Sequence, residues 1–200
     1  MTAQPYHETP IALPTRRRRG GRGVRVARLV LATPLLFAAL ALVVLHADVR
    51  ALEARIAAQW MSWTLPEAAT SFGDVFYVHL AHDHVVAFQV TAECTSVILI
   101  APLLAFAAVV LGATRVDVIR PFLAVAAMVV LTTVVNQLRL GVIVWMTTGL
   151  GLGVGYDLGH RLVGSVIGIA GFVAAVTVML MIMGMRRAGA RGESSGEAPS

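Results

Sequence analysis

Followed from the amino end, hydrophobic and polar positions alternate as long apolar blocks and short polar breaks, with a single longer interruption. Blocks at 24–46, 95–112, 121–147 and 161–184 are near the about 17–25 residues that a helix needs to cross roughly 30 Å of hydrocarbon. They predict four transmembrane helices, the third opening on Pro121 at a first-turn position that suits proline. The interruption, 47–92, reads as an exposed insert. Within it, Ala51 to Trp63 predicts an amphipathic interfacial helix anchored by Trp60 and Trp63. Pro66 ends that helix. Phe76–Leu80 and Val85–Val90 are β-prone runs around the polar turn His82-Asp83-His84, the pattern of a hairpin leading to Cys94. The glycines between Gly149 and Gly155 interrupt the helix after the third block, so 140–159 is expected to be a helix extension or a re-entrant piece. Residues 1–23 and 186–200 read as polar tails, the first of them disordered. The first block is long for a signal peptide and lacks a small-residue cleavage site, so an uncleaved helix is expected.

Composition strengthens this picture. Hydrophobic residues make up 58% of the chain and charged residues 14%, whereas soluble domains are nearer about one-quarter charged. The fold class expected is therefore an all-α integral membrane protein: about four transmembrane helices, a re-entrant or extended segment, and a small extracytoplasmic helix and hairpin insert. A net charge of +5 suggests nucleic acid until its distribution is considered. The basic residues are all arginine and cluster beside apolar blocks: Arg16 to Arg19, Arg115 with Arg120, and Arg186 with Arg187. That is the pattern that sets topology against a lipid bilayer, not a nucleic-acid stripe. It predicts both termini in the cytoplasm of a multi-pass cell-membrane protein, with the acidic-leaning 47–92 insert outside. The single cysteine, Cys94, excludes an intramolecular disulfide and a multi-cysteine metal site.

With this topology, Cys94, Arg139 and His160 all fall at the outer ends of membrane helices. A thiol at a helix start lies near unpaired backbone N–H groups that favour an anionic sulfur, and the neighbouring Glu93 opposes this. A histidine can take the thiol proton and return it to a leaving amine. An arginine can hold an oxyanion or a carboxylate. Asn136, one helical turn before Arg139, is placed to orient the guanidinium or to donate a second hydrogen bond, and Asp157 to orient the imidazole. Each residue also has an ordinary reading: a packed cysteine, a snorkelling arginine, a helix-capping aspartate. His79, His82, Asp83 and His84 fit a solvated loop better than a metal site. Neither a metal nor another cofactor is expected.

Three short motifs carry a resemblance. Ala92-Glu93-Cys94-Thr95-Ser96 before an apolar run, Asn136-Gln137-Leu138-Arg139 at a helix end, and His160-Arg161-Leu162-Val163-Gly164 resemble the cysteine, arginine and histidine motifs of the exosortase/archaeosortase family. The resemblance covers about residues 75–184. It departs from the family at Ser96, where glycine is common, and in its shortness. It implies that Cys94 is the nucleophile, Arg139 the oxyanion or substrate group and His160 the acid/base, with Thr95, Asn136 and Asp157 in support. The implied activity is that of a cysteine peptidase or transpeptidase cleaving C-terminal sorting signals of exported proteins, with possible transfer to a surface acceptor. The competing expectation is a non-enzymatic membrane scaffold or subunit in which Cys94 only packs. A transporter is disfavoured because no ionisable residue lies deep in a predicted span.

Overall fold

The computed structural model describes residues 21–64, 69–80, 84–113 and 119–184. Residues 1–20, the carboxyl-terminal tail 186–200, Pro66, His82, Asp83, Arg115 and Asp117 lie outside the described residues, whereas Gly21 to Gly23, expected in the disordered tail, already belong to the first helix. The chain is mainly helical: α1 (Gly21–Val44), α2 (His46–Thr64), α3 (Val97–Ala113), α4 (Ile119–Leu150) and α5 (Val154–Met183). A small antiparallel sheet, β1 (Thr70–Phe72), β2 (Val75–Leu80) and β3 (His84–Gln89), lies between α2 and α3. Helices α4 and α5 are long and apolar enough to cross a membrane. A third crossing follows if α1 and α2, bent by 77° between Val44 and His46, form one broken span. Helix α3, at 17 residues, is a shorter apolar helix.

Two apolar clusters divide the molecule. In the first, Leu35 and Ala39 of α1, Leu104 and Ala107 of α3, Met128 of α4 and Met179 of α5 form a helix-on-helix core. The second cluster lies around α2, the sheet and the upper part of α4, and includes Cys94. Helix α2 contributes Ala54, Ala57, Ala58 and Met61, a buried stripe at helical spacing. The sheet contributes Phe76, Val78, Val86 and Phe88, which alternate with more exposed neighbours as the pleat requires. Phe76 stacks on Phe88 with ring centroids 5.4 Å apart. The expected hairpin is present, with Val75 opposite Gln89 and Leu80 opposite His84. Strand β1 was not expected, because Thr-Ser-Phe is too short to show alternation. It joins β2 through a two-residue turn in which Gly73 supplies φ +60°.

Trp60 departs from its expected role as a membrane anchor. Its ring fits against Gly141 of α4, where an added Cβ would run into the ring, and its Nε1–H donates to Gln137 Oε1 at 3.0 Å. Trp63 remains 76% exposed, as an interfacial residue would be.

The stretch 140–159 takes the helix-extension form. At about 1.5 Å per residue, the 32 residues of α4 measure about 48 Å, well over roughly 30 Å of hydrocarbon. The chain reverses at Gly151, whose φ is +83°, and α5 returns along α4. Close backbone approach requires glycine here: a Cβ on Gly155 would meet Met146 O, and one on Gly159 would lie 3.1 Å from Ile143 Cα. Between Leu158 and Val163 the helix widens to π geometry, and Gly164 N–H bonds back five residues to Gly159 O. His160 sits within this widened turn.

Candidate active site

Strand β3 ends at Gln89 and α3 begins at Val97, so a short connection carries the thiol. The connection is clamped at its start. Val90 N–H donates to Asp74 O at 2.9 Å, and Arg50 of α2 pairs with the Asp74 carboxylate at 3.2 Å. Cys94 N–H closes a turn onto Thr91 O at 3.0 Å, and Thr95 Oγ1 accepts from Val97 N–H at 3.3 Å. Cys94 thus precedes the first turn of α3 instead of opening it, and the helix-terminus argument loses force with that displacement.

The thiol faces His160 across the fold. Cys94 Sγ lies 3.6 Å from His160 Nδ1, a hydrogen-bonding distance for sulfur. With the ring proton on Nε2, the thiol donates to Nδ1. Tyr156 stacks on the imidazole with centroids 5.4 Å apart and planes within 4°. Asp157, expected to orient the ring, does not. Its carboxylate pairs with Arg161 one turn later, at 3.4 Å on an exposed surface.

Arg139 approaches the thiol segment from α4, donating from Nη1 to Glu93 O at 3.3 Å. Its Nε is buried and has no partner among the described residues. Gly164 leaves room for the guanidinium, since a Cβ there would lie 3.1 Å from Arg139 Nε. Asn136 does not orient the guanidinium as expected. Its amide donates instead to Glu53 Oε1 of α2 at 3.1 Å, and Ser96 N–H donates to the same oxygen at 2.9 Å. Glu53 is 3% exposed. The sequence offers no signal for this role, because Glu53 reads there as one more charge on an interfacial helix.

A cleft of about 380 Å³ opens beside the loop, between α3, α4 and α5. Thr95, Ile98, Asn136, Arg139, Gly168 and Phe172 are among its lining residues. Glu93 and Thr95 bring the cleft to either side of the thiol, while Cys94 and His160 are not among the lining residues. Thr132 borders it, and its buried Oγ1 has no partner among the described residues.

Comparison with protein-family models, curated proteins and solved structures finds no match. Function therefore rests on the geometry. The arrangement brings together a thiol, an imidazole that can take its proton, and a cation with an unused donor. The backbone N–H groups of Cys94, Ser96 and Val97 are all engaged within the protein. No group of three or more metal-ligating side chains is present among the described residues. His79 is exposed, while His82, Asp83 and the His84 side chain are outside the description.

Proposed function

We propose that the chain is a membrane-embedded cysteine peptidase or transpeptidase that resembles exosortases and acts on C-terminal sorting signals of exported proteins. The observation carrying this reading is the 3.6 Å approach of Cys94 Sγ to His160 Nδ1, two residues 66 positions apart. In the reaction, the thiol proton passes to His160 as sulfur attacks the scissile carbonyl. The developing oxyanion is met by Arg139. Collapse breaks the C–N bond, leaves an acyl thioester on Cys94, and carries the proton from His160 to the departing amine. Water or an amine then attacks the thioester, the C–S bond breaks, and the thiol recovers its proton.

The proposed topology has four crossings and cytoplasmic ends, with the site at the extracytoplasmic face. The two long helices, the bent α1–α2 pair and the shorter α3 support it by length and composition. The amount of α4 and α5 that exceeds a hydrocarbon core supports placing their hairpin beside the insert.

A second reading is favoured by one observation: Cys94 is 3% exposed, as a packed structural cysteine would be. In that case the protein is a scaffold or subunit of a membrane complex. Co-expression of candidate sorting-signal proteins with wild type or Cys94→Ala separates the two readings, with membrane levels checked. Loss of processing at normal insertion is the outcome expected of an enzyme. Processing that persists in Cys94→Ala would eliminate the thiol mechanism.

A further inference from the structure

Glu53 lies 41 positions before Cys94 on a different helix, yet one of its carboxylate oxygens serves both sides of the candidate site. Oε1 accepts Ser96 N–H at 2.9 Å, two residues after the thiol, and Asn136 Nδ2 at 3.1 Å, one turn before Arg139. The backbone of the same residue is also tied to α4, since Gln137 Nε2 donates to Glu53 O at 3.3 Å. Gln137 is in turn held by Trp60. Packing alone would be met by an apolar side chain, as Ala54 and Ala57 show on the same helix. A buried carboxylate adds a directional acceptor, whose strength rises as water is excluded.

We propose that Glu53 is a positioning residue for the thiol site, holding the Cys94 loop and the Arg139 turn of α4 in one register through Oε1. By engaging Ser96 N–H it also removes that backbone donor from oxyanion contact. The inference rests on the thiol-peptidase reading for its catalytic consequence, while the positioning itself is measurable without a substrate.

The test uses the full chain in detergent or membranes with Glu53→Gln, Glu53→Asp and Glu53→Ala. Glutamine keeps an oxygen at the same reach, so Glu53→Gln should restore behaviour to within about threefold of wild type. Aspartate keeps the charge but is one methylene too short to reach both donors. Displacement of about 1 Å near reacting groups costs up to about 100-fold in rate, so Glu53→Asp should lower kcat about 10-fold or more, with KM changed far less. In parallel, the rate at which methyl methanethiosulfonate modifies Cys94, read from intact mass, should change at least about fivefold in Glu53→Asp and stay near wild type in Glu53→Gln. If Glu53→Ala fails to insert, the aspartate and glutamine variants still decide. Wild-type modification rates in Glu53→Asp would overturn the proposal, as would equal damage from glutamine and aspartate. If Cys94→Ala continues to process substrate while the modification rates follow the expected order, the peptidase reading fails and Glu53 positioning stands.

Discussion

Gly155→Ala tests how tightly the α4–α5 hairpin sets the distance between Cys94 and His160. A Cβ at this position would run into Met146 O and fall 2.8 Å from Met146 C, both backbone atoms that cannot rotate aside. Reaching ordinary contact near 3.4 Å requires the helices to part by about 1.2 Å. His160 lies five residues further along α5, and its Nδ1 is already 3.6 Å from Cys94 Sγ. A shift of that size transmitted to His160 takes the contact beyond hydrogen-bonding reach. Overpacking of this kind costs about 1–3 kcal/mol in stability, and misplacement by about 1 Å costs up to about 100-fold in rate. Gly149→Ala is the matched control, since a Cβ there meets nothing within 4 Å. Thermal unfolding in detergent and processing of a co-expressed sorting-signal protein should both report loss for Gly155→Ala and neither for Gly149→Ala. Wild-type stability and processing in Gly155→Ala would refute the claim that glycine is required by this approach.

Three further outcomes are expected. Gly141→Ala should expel the Trp60 ring from its slot and break its bond to Gln137, lowering stability by about 2–3 kcal/mol and shifting tryptophan emission to the red. Arg139→Lys should reduce processing about 100-fold or more at unchanged membrane level, because an ammonium cannot reproduce the guanidinium fork. Asp157→Asn should leave processing intact and stability within about 0.5 kcal/mol, since it loses only an exposed pair with Arg161; a loss comparable to that of His160→Ala would restore Asp157 to the site.

The long apolar periods made α3, α4 and most of α5 legible in the sequence, and the β-prone runs around 82–84 marked the hairpin. The break between the first block and the interfacial helix was legible, but its abruptness was not, because neither glycine nor proline stands at Leu45. The start of α5 at Val154 was hidden among the glycines of 149–155: Gly151 makes the turn, Gly149 and Gly153 meet nothing, and Gly155 alone of these packs closely against α4. At the site, Cys94 and His160 do come together, and Arg139 reaches the residue before the thiol. Their supporting residues were misread because local sequence distance was the only guide. Asp157 is near His160 in sequence and turned to Arg161, while Glu53 is remote in sequence and bonded to both Ser96 and Asn136. Tyr156, adjacent to the aspartate that seemed the better partner, is the residue that stacks on the imidazole.

The most direct measurement of thiol acyl transfer is the intact mass of the protein after brief exposure to an uncleaved sorting-signal substrate, followed by rapid acid quench. A covalent adduct equal to the acyl fragment, located on Cys94, released by hydroxylamine and missing from Cys94→Ala, is the predicted result. Cleavage of the same substrate with no adduct at Cys94, and at an undiminished rate in Cys94→Ala, would contradict it.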